Sequence, residues 1–130
     1  MTRYLVATDN EDCSWTLCSY LDDHLDDGDE VYAINSLRGG GASGSNALDR
    51  GESALEVIED RLGSMATVET HQYVRGNDPA VDIVEAANEF DVDELVIGLR
   101  RHSRRERIAF GSTLQATLRR ASRPVRAIPA

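Results

Sequence analysis

Apolar and polar positions along the chain follow two periods, and the switches between them outline nine elements. RYLVAT (3–8) is a short apolar run that must turn at Asp9-Asn10, so it reads as a buried strand. From about Asp12 the period lengthens, and Ser14, Leu17, Cys18, Leu21 and Leu25 recur at helical spacing until Gly28. EVYAINSL (30–37) predicts a second strand. RGGGASGSN (38–46) follows, with the Gly/Ser-rich composition of a flexible loop. Ala54, Leu55, Ile58 and Leu62 form the stripe of a second helix closed by Gly63. TVETHQYV (67–74) alternates polar with apolar residues, as a strand near a sheet edge does.

The second half continues the alternation. In Gly76-Asn77-Asp78-Pro79 the aspartate is placed as an N-cap and the proline at the first helical position, where its missing N–H is harmless. Ala80, Ile83, Val84, Ala87 and Phe90 make the buried side of that helix. ELVIG (94–98) is a wholly apolar fourth strand. A last helix starts at Ser112 or Thr113, with Leu114, Thr117, Leu118 and Ala121 inward. PVRAIP (124–129) is a fifth strand with prolines at its ends.

Strands alternating with helices of this length imply one α/β domain over 1–130, a parallel sheet covered by helices on both faces. Ligands in such sheets sit beyond the carboxyl ends of the strands, where strand order reverses. Strand one ends at Asp9, strand two near Ser36 and strand four at Gly98, so these ends converge on one crevice.

Composition narrows the function classes. Of 130 residues 41% are hydrophobic and 5% aromatic, which predicts an aliphatic core. No run of eighteen apolar residues exists and the start lacks a signal-peptide pattern, so a soluble, cytoplasmic protein without a membrane partner is expected. Residues 1–99 hold 5 Arg against 22 Asp and Glu, whereas residues 100–130 hold 9 Arg against Glu106 alone. The resulting −17 and +8 make up the net charge of −9. A body this acidic repels a phosphate backbone, which argues against nucleic acid as a partner. Every basic residue other than histidine is arginine. Such a lysine-free acidic surface suits a halophilic protein working in molar salt, where the screening length falls to about 3 Å; a GC-rich coding bias would also favour arginine over lysine.

Candidate chemistry concentrates in one segment. Arg100, Arg101, Arg104, Arg105 and Arg107 lie between Gly98 and Gly111-Ser112-Thr113. The first amides of a helix lack internal partners and sit at the positive end of its dipole, so they suit an anion. Guanidinium groups add charge-assisted hydrogen bonds. An ordinary N-cap, with arginines paired to the acidic surface, explains the same residues. The lysine and spacing of a Walker loop are absent. Cys13 and Cys18 match neither a redox nor a zinc pattern and read as core or boundary residues. His24, His71 and His102 are scattered, and Tyr4 and Trp15 read as packing.

Three stretches, RYLVATDN, GNDPAVDIVEAANEFDVDELVIG and GSTLQATLRRASRPVRAIP, make the whole chain resemble a universal stress protein domain. The family signature runs Gly, two residues, Gly, nine residues, then Gly-Ser or Gly-Thr. Gly98 and Gly111-Ser112 fill the ends at the right spacing, but Arg101 replaces the second glycine. The resemblance implies a Rossmann-like three-layer fold (adenine nucleotide alpha hydrolase-like) with a five-stranded parallel sheet of order 3-2-1-4-5, and a homodimer paired along the last strand, 124–129. It also implies an adenine nucleotide, ATP or AMP, with or without magnesium. Thr8 and Asp9 would lie against adenosine and Ser36 near adenine. Ile97, Gly98, Gly111, Ser112 and Thr113 would line ribose and phosphates, with Arg100 and Arg101 adjoining. If position 101 requires φ > 0, arginine there costs about 1–2 kcal/mol. Arg101 either leaves a working site, by turning outward or by clasping the phosphates, or fills the site. The second case would make the chain an interaction module without nucleotide. An ATPase is the third reading, with no general base positioned and no magnesium carboxylate unless Asp9 serves.

Overall fold

The computed structural model describes residues 1–39, 45–99 and 111–129. Strand and helix alternate through β1 (Arg3–Ala7), α1 (Glu11–Asp22), β2 (Glu30–Leu37), α2 (Ser45–Leu62), β3 (Thr67–Val74), α3 (Pro79–Glu89), β4 (Glu94–Leu99), α4 (Ser112–Arg120) and β5 (Val125–Pro129). All the strands are parallel and pair in the order β3-β2-β1-β4-β5. That is the Rossmann-like order that the resemblance implies.

The continuous apolar runs of β1 and β4 follow from burial on both faces. Tyr4, Val6, Val31, Ala33 and Val96 point to one face, where they meet Leu17, Cys18 and Leu21 of α1 and Leu55, Ile58 and Leu62 of α2. Leu5, Ile34, Leu95 and Ile97 point to the other, against Ile83, Ala86 and Ala87 of α3 and Leu114 of α4. Each buried Leu, Ile or Val contributes about 1.5–3 kcal/mol. No helix among the described residues is long and apolar enough to cross a membrane.

The sheet divides at the end of β1. Ala7 pairs with both Ile34 and Ile97. One residue later Thr8 turns wholly to β2: its N–H donates to the Ile34 carbonyl at 3.0 Å, and its carbonyl accepts from Asn35 Nδ2 at 2.9 Å. β4 meanwhile continues beside β5, pairing Leu99 with Pro129. The space between the diverging strands is the crevice.

Several local features differ from the pattern reading. Leu118 is 50% exposed rather than inward. The buried residues of α4 are Leu114 and Thr117, and Leu118, about 40° round from Leu114 and about 100° from Thr117, lies at the exposed edge of their stripe. Trp15 is half-exposed, with Arg61 lying 4.6 Å over its ring. Asp29, in a chain whose acidic composition suggests a charged surface, is buried and accepts from the Thr2 and Asp26 amides at 2.7 and 2.9 Å, which ties the start of β1 to the turn before β2.

A polar network backs the division of the sheet. Asn35 Oδ1 accepts from Gln72 Nε2 at 3.1 Å, and the same nitrogen donates to the Leu48 carbonyl at 3.0 Å. Thr8 Oγ1 and Ser14 Oγ lie 2.7 Å apart, and Ser14 Oγ donates to the Ala54 carbonyl at 2.7 Å. Gly51, inside α2, gives this network room: a Cβ there would collide with Asn35 Oδ1 and lie 2.7 Å from Gln72 Nε2. Glycine to alanine inside a helix ordinarily gains about 1 kcal/mol. Here the sign reverses, and Gly51→Ala is expected to destabilise the fold by about 1–3 kcal/mol, as overpacking does. A lowered midpoint in urea unfolding is the measurement that checks it.

Candidate functional site

The crevice is a cleft of about 700 Å³, within the ~300–1,000 Å³ span of small-molecule sites. Its walls combine the β1 end (Ala7 to Asn10), the first turns of α1, the β2 end (Ser36, Leu37), the start of α3, the β4 residues Ile97 and Gly98, and the start of α4. Thr8, Asp9, Ser36, Ile97, Gly98, Gly111, Ser112 and Thr113, candidates from the sequence, all line it. Arg100 and Arg101 lie outside the described residues.

Three helices direct their N-termini toward this cleft, and their caps differ. Asn10 caps α1, its Oδ1 accepting from the Cys13 amide at 2.8 Å. Asp78 caps α3 by accepting from the Ala80 amide at 3.0 Å, with Pro79 following as the sequence predicts. Gly111 caps α4 with no side-chain hydrogen bond. The cap of the Gly-Ser-Thr start is thus its glycine, and Ser112 and Thr113 fall in the first turn of the helix. Among the described residues no side chain caps the first amides of α4, which border the cleft at the positive end of the helix dipole. Gly111 has φ −57° and ψ 154°, a conformation open to any residue. A Cβ on it would meet nothing within 4 Å. The absent side chain there leaves space in the cleft instead of relieving backbone strain.

The opposite wall is rich in acceptors. Asp9 and Asp12 line it, and Asp9 Oδ1 accepts from Asn10 Nδ2 at 2.9 Å. Thr8 is turned inward to Ser14 and to the Asn10 carbonyl, 3.2 Å from its hydroxyl, so its part is to shape the turn. Cys13 also lines the cleft. Burial raises its thiol pKa, and burial pushes that of Cys18 up to about 11. Both therefore stay protonated and poorly nucleophilic near neutral pH. Among the described residues no group of three or more His, Cys, Asp or Glu side chains could hold a metal ion.

Sequence reasoning missed the α3 side. Pro79 and Ile83 wall the cleft, and behind Ser36 lies Asp82, only 1% exposed, accepting from Ser36 Oγ at 2.6 Å and from Asn77 Nδ2 at 3.0 Å. Its signal was a carboxylate inside the apolar stripe of PAVDIVEAA, at a position helical spacing turns inward. Asn35 was missed as well, being one amide in an otherwise strand-like run.

A model of the universal stress protein family matches residues 1–129. None of the curated proteins gives a significant match. Among solved structures, a universal stress protein from Archaeoglobus fulgidus is 28% identical with a TM-score of 0.76, and 98% of each chain is covered. The universal stress protein from the same organism in complex with dAMP is 29% identical, with a TM-score of 0.74 over 98% of each chain. A universal stress protein in complex with cAMP is 18% identical, with a TM-score of 0.67 over 98% of this chain and 96% of the other. The family match runs the length of the fold, and both ends of the glycine signature border the cleft: the chain belongs to the universal stress protein family.

Proposed function

We propose that this protein binds an adenine nucleotide in the cleft between β1 and β4, as a small cytoplasmic stress-response protein that signals by its bound state and does not turn the nucleotide over. The observation that carries the reading is the start of α4, which opens without a side-chain cap onto the cleft at a residue that has no Cβ. Phosphate oxygens match those amides and the hydroxyls of Ser112 and Thr113. Asp9 would accept from ribose hydroxyls, and Ile34, Leu37 and Ile83 would cover the base. The dAMP bound by the Archaeoglobus fulgidus protein, 29% identical over 98% of each chain, supports the same ligand class.

Arg100 and Arg101 belong to this reading as phosphate-facing cations beside the amides. A second reading, an interaction module without nucleotide, is favoured by Arg101 standing at the signature's second glycine. Isothermal calorimetry with ATP and AMP at low and molar salt decides between them. Binding supports the first reading, and its absence at every salt concentration overturns it. The acidic, lysine-free composition supports a salt-adapted protein, so the fold should persist in molar salt. We also propose that a second copy pairs along β5, an edge strand whose Arg126 and Ala127 are exposed; sedimentation should give a dimer.

Gly111→Val is expected to weaken nucleotide binding at least about tenfold, since the new side chain enters the cleft. Stability should fall by no more than about 1 kcal/mol, the scale of an N-cap change. Calorimetry paired with thermal unfolding reads both. Arg101→Gly restores the family glycine and is expected to weaken ATP binding and flatten its salt dependence, as losing a phosphate-facing cation does. Tighter binding would show that Arg101 obstructs the site.

A further inference from the structure

The cleft has two chemically different ends. At the α4 end it offers backbone amides; at the β2 and α3 end it is walled by Ile34, Leu37, Pro79 and Ile83, with the hydroxyl of Ser36 among them. An apolar slot with a hydroxyl among its described lining residues suits the edge of a planar base, and the hydrogen-bonding sense of that hydroxyl bears on which edge is accepted.

That sense is set from behind. Ser36 Oγ donates to Asp82 Oδ2 at 2.6 Å. A carboxylate only accepts, so the single hydroxyl proton is committed to it. Asp82 is 1% exposed, lies in the first turn of α3 near the positive end of that helix, and takes a second hydrogen bond from Asn77 Nδ2 at 3.0 Å. Rotating the Ser36 proton toward a ligand would leave a buried carboxylate oxygen without that donor, which is unfavourable. What Ser36 shows the cleft is therefore lone pairs.

We propose that Ser36, held by Asp82, is a specificity-determining residue that makes the base end of the cleft an acceptor, selecting a purine with a 6-amino donor and rejecting one without it. The inference rests on the nucleotide reading above and goes beyond it by assigning the choice of base to this pair. A 6-oxo purine presents an acceptor where adenine presents a donor, so oxygen would face oxygen.

Calorimetry with AMP, IMP and purine riboside 5′-monophosphate, which lacks any 6-substituent, tests it on the intact protein. The wild type is expected to bind AMP at least about tenfold tighter than either analogue, the factor carried by one mismatched hydrogen bond. Ser36→Ala should weaken AMP by that factor, leave purine riboside 5′-monophosphate unchanged, and bring their ratio close to one. Asp82→Asn places an amide donor behind Ser36 and frees the hydroxyl proton, so IMP should gain on AMP. Should Asp82→Asn melt before it binds, Ser36→Ala carries the test alone, since its side chain lines the cleft. A preference for AMP that persists in Ser36→Ala, or equal binding of the three nucleotides by the wild type, overturns the inference while leaving the nucleotide site standing. No AMP binding by the wild type overturns both, and is a separate observation.

Discussion

A buried carbonyl at the end of a central strand must find a donor, and the Thr8 carbonyl finds the Asn35 side-chain amide at 2.9 Å. The direction of that bond matters as much as its presence. With its N–H also spent on the Ile34 carbonyl, Thr8 is drawn toward β2, while β4 stays with β5. A parallel sheet whose strands diverge at this point cannot be closed by its own ladder, and the gap becomes a cleft. Gln72 orients the Asn35 amide and Gly51 leaves it space. The Thr8–Ser14–Ala54 chain ties the same turn to α1 and α2. Apart from Thr8, the residues that hold the Asp9-Asn10 corner, Ser14, Asn35, Gly51, Ala54 and Gln72, do not line the cleft.

Successive strand residues point to opposite faces, and β2 uses this at the cleft. Asn35 faces α2 and fixes the backbone; Ser36 faces α3 and is fixed by Asp82. Both are polar groups at a depth where polar groups need partners, and each has them. The helix ends complete the division of labour. Where a side chain caps a helix, as Asn10 and Asp78 do, the amides are occupied internally. Where glycine begins α4 without one, only about a few tenths of a kcal/mol of capping stability is forgone, and the first amides border the cleft as anion-binding donors.

Most of the framework was legible because burial on both faces leaves long apolar runs, and because Asp78-Pro79 and the Gly98 to Gly111 spacing are local signals. Residues defined by distant partners were not. Asp82 is passed over by any reading that collects apolar positions, although its place in the stripe of α3 marks it as inward. Asn35 has no meaning until Thr8, 27 residues away, is beside it. Gly51 reads as a weak helix residue by propensity, and only the amide in its path explains it. Leu118 misled for the opposite reason: a short helix buries a narrower line than its apolar residues suggest. Arg100 and Arg101, legible as charge, lie outside the described residues.

The charge pattern acquires a physical sense from the cleft's polarity. Asp9, Asp12 and a Ser36 whose proton is committed supply acceptors along the β1, α1 and β2 walls, and the start of α4 supplies donors. A nucleotide is built the same way, with amino and hydroxyl donors at one end and phosphate acceptors at the other. Reversing it would set phosphate against carboxylates. The two halves of the recognition also differ in range. Attraction between charges separated by solvent fades once salt shortens screening to about 3 Å. Amides at hydrogen-bond distance act within that length, so under the proposed reading the backbone at the start of α4 would keep its hold on an anion in concentrated salt after arginine charges had lost their reach.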